Sequence, residues 1–425
     1  MSFLRSVTAD LDPQVVIISL MTLVIMLGSS VISPVLPLIA QEFGVSYAGA
    51  GALVAAFALG RIPFDFIGGA AVDRFSPRII ACGGAAVVAV SALFSAVAES
   101  FQALLWYRVI GGIGSALFTI TAMAFLVRTV APQRMGQAMG FYQSMLLIGV
   151  SFGPTVGGVA SSLSANLRAP FWAMAVLSFV VAGVGWYWIG EFPATTSGQR
   201  IAAVSDSATT VLKQLLHDFT FVFACVLTLL LFGIRSGVNL NLMPLFAQEK
   251  LGLGETGIGL AQSLCSLANF CVLWHAGRLL DQVGRRWVTL VSLWVSVVTL
   301  LCFPWATTPL LLMLVSIAFG AAIGYLGPAP AAVIADMTPA GKAGTVMGLY
   351  RGAGDTGLLL GPVFVGWVAS HLGFNLAFTV AAGCAVLVAL LGIATRETLR
   401  QSQGTELPED SRRIGEHQET SSETT

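Results

Sequence analysis

The chain has 425 residues, of which 56% are hydrophobic and 10% charged, where a soluble domain carries about 25% charged residues. Its 21 Lys and Arg balance 21 Asp and Glu, and the mean hydropathy is +0.85. So apolar a chain is not a water-soluble enzyme, and without a basic excess it binds no nucleic acid; it is an integral membrane protein whose first partner is the lipid bilayer.

Twelve apolar runs of spanning length are expected, each needing about 20 residues. The first runs from Val15 to about Ala40 and contains Pro34 and Pro37. It is too long for a signal-peptide apolar region and no cleavage pattern follows it, so it reads as a retained span. Further runs begin near Tyr47, Ile79, Gln102, Gln137 and Pro170. After a polar stretch at 191–216, six more begin near Asp218, Thr256, Trp287, Pro309, Thr345 and Phe374. The expected organisation is an N-terminal segment 1–14, a six-helix bundle 15–190, a central loop 191–216, a second six-helix bundle 217–396, and a disordered tail 397–425 rich in Ser, Thr and Glu. Alternating segments of about 10 residues, the mark of a membrane β-barrel, do not occur.

Basic residues orient the spans. Fifteen of the 21, from Arg5 to Arg413, fall in the connections on the side of the termini, and only Arg168 and Lys250 on the other. The positive-inside rule therefore puts both termini in the cytoplasm, of a plasma membrane or a bacterial inner membrane. The six cysteines and four histidines show no metal or catalytic spacing, so no metal site, cofactor or enzymatic constellation is expected.

The two halves repeat at one offset. Gly69-x-x-x-Asp73-Arg74 returns as Gly277-x-x-x-Asp281, Met139-Gly140-x-Tyr142 as Met347-Gly348-x-Tyr350, and Gly149-x-x-x-Gly153-Pro154 as Gly357-x-x-x-Gly361-Pro362, each 208 residues on. Six spans per half make this a parallel repeat. Such repeats hold a substrate near the midplane between two halves that rock against each other.

These residues carry a resemblance. The loop Gly69 to Arg78, and more fully Gly277-Arg-Leu-Leu-Asp281-Gln-Val-Gly284-Arg285-Arg286, resembles the Gly-x-x-x-Asp-Arg-x-Gly-Arg-Lys/Arg motif of the major facilitator superfamily. The first copy has Ser76 and Pro77 where the family carries Gly and Arg. Arg108 to Gly114 resembles the span-4 motif Arg-x-x-Gln-Gly-x-Gly, with Gly111 in place of Gln. Gly149-Val-Ser-Phe-Gly153-Pro154-Thr-Val-Gly157-Gly158 is similar at every defined position to the span-5 antiporter motif, as in the drug:proton antiporter branch. The resemblance implies an all-α fold of twelve helices in two parallel six-helix repeats, working by alternating access as a monomer. It implies that Gly69, Asp73, Arg74, Arg78, Gly277, Asp281, Gly284, Arg285 and Arg286 form gating loops, although a static loop clamp accounts for the same residues. Gly149, Gly153, Pro154, Gly157, Gly158, Gly361 and Pro362 suit a helix pivot or plain close packing.

Charges inside spans are expensive and mark function. Arg61 with Asp65, and Arg351 with Asp355, stand at i,i+4 and can neutralise each other on one helix. Arg108 and Arg235 have no local acid. Resemblance places a protonatable carboxylate beside the span-4 arginine, yet neither the first nor the fourth span holds an acid. Coupling to protons would then fall to Asp355, or to Asp65, with Arg108 and Arg351 as charge partners. Arg235, Asn239, Gln262, Ser266, Asn269, Tyr142 and Tyr350, with Arg108, are the expected cavity residues. The function expected is proton-gradient-driven exchange of a small-molecule substrate, in the direction of efflux. Four arginines against two aspartates also fit a carrier of organic anions or metal chelates, including uptake. A non-transporting receptor or scaffold is the reading from another class, and embedded charge argues against it.

Overall fold

A computed structural model describes residues 13–74, 76–130, 135–189, 217–337 and 343–398, with the side chains of 65–74, 127–128, 135–137 and 343–349 outside that description. Among the described residues eleven helical stretches are long and apolar enough to cross a bilayer, and the longest, Tyr350–Ile393, holds two. Gly373 divides it with φ 82°, ψ 168°, a backbone state open to glycine at little cost. The protein is thus all-helical with twelve spans, as the hydropathy pattern requires.

In chain order the spans are α1 (Pro13–Val31, continued after a break as Leu36–Glu42), α2 (Tyr47–Arg74), α3 (Pro77–Ala96), α4 (Phe101–Thr129), α5 (Met135–Ser164) and α6 (Ala169–Trp188). The second half comprises α7 (Phe219–Leu251), α8 (Glu255–Gln282), α9 (Arg285–Cys302), α10 (Pro309–Asp336), α11 (343–372) and α12 (374–393). Local chemistry sets the ends. The Asp218 carboxylate accepts the Thr220 N–H at 2.8 Å to start α7, and Thr308 Oγ1 accepts the Leu311 N–H at 3.2 Å to start α10. Within the spans, hydroxyls such as Thr22, Thr119 and Thr228 donate to the carbonyl four residues earlier, so these polar groups do not face hydrocarbon unsatisfied.

The 208-residue repeat reappears as contacts. A Cβ on Gly51 of α2 would strike the Pro362 carbonyl of α11, and one on Gly259 of α8 would strike that of Pro154 of α5. Gly112 meets the Phe57 carbonyl as Gly320 meets that of Cys265, and Gly158 meets the Glu255 carbonyl as Gly366 meets that of Tyr47. Each pair is related by the same offset. Two seams therefore join the halves, α2 against α11 and α5 against α8, with backbones close enough that only glycine fits.

The end of the bundle away from the termini is bound across these seams. Tyr47 Oη donates to the Glu249 carboxylate. The Ala48 N–H donates to Ser370 Oγ at 3.3 Å, the Thr155 N–H to Ser263 Oγ at 3.0 Å, and Thr256 Oγ1 to Ser162 Oγ at 2.8 Å.

Candidate functional site

A cavity of about 330 Å³ lies between the halves, at the small end of the range for small-molecule sites. Mid-span residues of α1, α2, α4, α5, α7, α8 and α11 line it. Arg61, Arg108, Arg235 and Asp355 are its charged groups, three guanidiniums against one carboxylate.

The carboxylate is engaged across the seam. Asp355 Oδ1 of α11 lies 4.0 Å from Arg61 Nε of α2, and Arg61 Nη1 donates to Ser115 Oγ of α4 at 3.0 Å. Spacing within α11 lets Arg351 and Asp355 neutralise each other; it does not foresee that Arg61 of the other half engages the same carboxylate. Helix spacing considers one helix alone, whereas the antiparallel register set by Gly51 against Pro362 and Tyr47 against Gly366 brings α2 position 61 to α11 position 355. Arg351 is not among the cavity-lining residues, and the Asp65 side chain lies outside the described residues.

Among the described residues the other two guanidiniums have no acid within ion-pair distance. Arg108 is 8% exposed, its carbon 4.6 Å over the Phe57 ring, and its Nε has no hydrogen-bond partner. It is held there because α2 and α4 interlock, Gly60 against the Val109 carbonyl and Gly112 against that of Phe57.

Arg235 opens a π-helical segment, Arg235–Leu242, inside α7, an irregularity common at functional sites. The Met243 N–H donates to the Val238 carbonyl, so it is not available to the Asn239 carbonyl. The next residue along, Pro244, has no N–H at all. The Gln262 side chain of α8 supplies the missing donor, Nε2 to Asn239 O at 2.8 Å. Gln262 Oε1 accepts from Ser33 Oγ of α1 at 2.8 Å. Asn241 Nδ2 pins the same segment to the Pro362 carbonyl at 3.1 Å. Gln262, expected as a cavity residue, is instead a fully buried bridge between the halves.

The remaining expected residues divide. Asn239 and Ser266 line the main cavity, and Asn269 lines a recess of about 20 Å³ beside it, together with Leu147 and Arg235. Tyr142 and Tyr350 do not line the cavity. Tyr142 is 2% exposed and sits in the first-half core with Ile18, Met21 and Phe118, while Tyr350 packs on Phe221, Ala224 and Val333. Gly149, Gly153 and Gly157 run along α1 against the carbonyls of Leu23, Leu27 and Val31, Gly158 faces α8, and Gly361 faces Gly233 of α7. Pro154 lines the cavity.

At the terminus-bearing end the second loop motif is a closed network. Gly284 takes φ 113° ahead of α9. Arg285 Nη1 donates to Asp281 at 2.7 Å and its Nε to Asp336 at 3.2 Å. The Glu397 carboxylate accepts the N–H groups of Arg285 at 2.8 Å and Arg286 at 3.1 Å, and Thr398 Oγ1 donates to Asp336 at 3.0 Å. Glu397 and Thr398, assigned from sequence to a disordered tail, are therefore fastened to the motif; an anion at a helix start is favourable. In the first copy Arg78 stacks 4.6 Å from the Trp186 ring, and the side chains of Gly69, Asp73 and Arg74 lie outside the described residues.

A family model described as Major Facilitator Superfamily matches residues 18–274 and 225–417. The chain belongs to the major facilitator superfamily. It is accordingly a multi-pass membrane transporter of small solutes and not an enzyme. It is 22% identical over 383 residues to an uncharacterised MFS-type transporter of Methanocaldococcus jannaschii, covering 90% of this chain and 97% of that one. It is 30% identical over 178 residues to the quinolone resistance protein NorA of Staphylococcus aureus, a match covering 41% of this chain and 45% of NorA. Its fold superposes on a bacterial homologue of the human lysosomal transporter Spinster, in an inward-facing and unoccupied conformation, with a TM-score of 0.77 at 17% identity, covering 93% of this chain and 98% of that one.

Four contributors to the site of this major facilitator protein were not legible in its sequence: Ser33, Ser115, Asp336 and the π-helical turn. Pro244, five residues after Asn239, was the available signal for the turn, since it leaves a carbonyl without a donor.

Proposed function

We propose that this chain is a proton-coupled secondary transporter that exports a small organic solute by alternating access. The observation that carries the reading is the ion pair between Arg61 and Asp355, which spans the two halves and lines the cavity between them. Protonating Asp355 removes the attraction across the α2–α11 seam and leaves Arg61 bonded to Ser115 within its own half. A proton on that carboxylate thus loosens one half from the other, and its departure draws them together. Solute and proton meet at one cavity, which suits exchange.

The rocking bodies are then 15–190 and 217–396, joined by 191–216. With the termini in the cytoplasm, as the distribution of basic residues implies, the Tyr47, Ser33 and Thr256 bonds close the outer side and the cavity opens inward. The partial similarity to NorA supports export. The Arg285 network moves with the second half as a clamp at the inner end, and the Gly149 to Gly158 face of α5 is the pivot.

The test compares solutes retained by cells carrying the protein, its Asp355→Asn variant or neither, by untargeted mass spectrometry. The reading expects a solute depleted by the protein, spared by Asp355→Asn, and spared when an uncoupler collapses the proton gradient. Depletion that survives both treatments would contradict it.

A further inference from the structure

The cavity holds more positive charge than the coupling pair uses. Asp355 is matched by Arg61, and among the described residues neither Arg108 nor Arg235 makes a hydrogen bond or an ion pair. Arg108 is more than nine-tenths buried with an orphaned Nε, and α4 carries no acid to relieve it. Arg235 faces the same cavity from a wide helical turn fixed by Gln262 and Asn241. Ser29 Oγ, also at the cavity, has no partner.

Guanidiniums tolerate such a site while water reaches the cavity. When rocking closes it, each bare charge bears a desolvation penalty of several kcal/mol, unless an anion enters with it. Guanidinium planes bind carboxylate and phosphate oxygens through paired N–H groups. Beside five serines and Asn239, the rest of the lining is apolar and aromatic, with Phe57, Phe232, Val54 and Leu358 among it. We propose that the cavity is a binding site for a small organic oxyanion with an apolar body, its carboxylate, sulfonate or phosphonate group held by Arg108 and Arg235 and its body against Phe57 and Phe232. A cation would meet two uncompensated positive charges there and be excluded.

The inference names the solute for the proposed transporter and rests on that reading only for the transport steps after binding. Its test is equilibrium binding to the full-length protein in detergent without any gradient, so loss of proton coupling with binding intact overturns the coupling alone. Benzoate, phenylphosphonate, benzamide and benzylammonium share one ring and differ in charge; binding is read from thermal unfolding followed by tryptophan fluorescence. Benzoate and phenylphosphonate should stabilise the protein, and benzamide and benzylammonium should not. Arg108→Ala and Arg235→Ala should each weaken the two anions by about tenfold to a hundredfold. Arg108→Lys and Arg235→Lys, which keep the charge if an alanine variant misfolds, should weaken them less, and Arg235→Glu should transfer stabilisation to benzylammonium. The proposal is overturned if neither anion stabilises the protein, if benzamide or benzylammonium does so as well, or if anion binding is indifferent to the arginine substitutions.

Discussion

Replacing Ser33 by alanine should release the closed end of the bundle. Ser33 Oγ donates to Gln262 Oε1 at 2.8 Å, and Gln262 is 0% exposed. Its amide nitrogen is already committed to the Asn239 carbonyl. In Ser33→Ala the oxygen has no donor as long as the halves stay together, and a buried unsatisfied acceptor costs about 1–3 kcal/mol. Hydrogen bonds between membrane helices average nearer ~0.6 kcal/mol, so the lower end, about 1 kcal/mol, is the working figure. Of these two Gln262 bonds, that to Ser33 joins the halves and that to Asn239 lies within one. The whole loss therefore falls on the state closed at this end, and about fivefold more molecules should open there. Spin labels at Asn166 and Thr307, both at that end, report the change as a distance distribution by pulsed electron resonance in a cysteine-free background. Gln262→Leu is the comparison, because it also orphans Asn239 and should lower thermal stability where Ser33→Ala does not. A Ser33→Ala distribution superimposable on the parent's would refute the bridge as a latch.

Pro244→Ala supplies an N–H near the stranded Asn239 carbonyl and should restore part of the stability lost in Gln262→Leu, about 1 kcal/mol, seen as a recovered unfolding midpoint; no recovery would sink the account of the π-helical turn. Gly51→Ala and Gly259→Ala place a methyl against the Pro362 and Pro154 carbonyls and should each cost about 1–3 kcal/mol of the closed state, read by the same label pair, whereas Gly83→Ala, with open space around it, should change nothing. Glu397→Ala strips the start of α9 of its cap, a loss of about 0.5–2 kcal/mol, and hydrogen exchange at the Arg285 and Arg286 amides should accelerate while that in α3 stays as it was.

The fold was legible because a bilayer enforces long apolar helices, and the 208-residue repeat because glycine is irreplaceable where Gly51 meets Pro362 and Gly259 meets Pro154. Arg108, Arg235 and Asp355 stood out because embedded charge is rare. Their partners were hidden. The pairing of Asp355 with Arg61, 294 positions away in the chain, depends on the register of two helices from different halves, which no local pattern encodes. Tyr142 and Tyr350 were misplaced for a related reason, since an aromatic with a hydroxyl suits a cavity wall and a helical core equally well. Gln262 was expected at the cavity, because the carbonyl that claims it is freed only once α7 departs from α-helical geometry.

In the proposed mechanism one carboxylate, Asp355, ties protonation to the relation between the halves. The direct measurement is the Asn166–Thr307 distance distribution as a function of pH, in the parent and in Asp355→Asn. Lowering the pH should move the parent from the closed distribution toward the open one through a single transition. Asp355→Asn, which mimics the protonated side chain, should show the low-pH distribution throughout. A variant that keeps the parent's pH response would contradict the account.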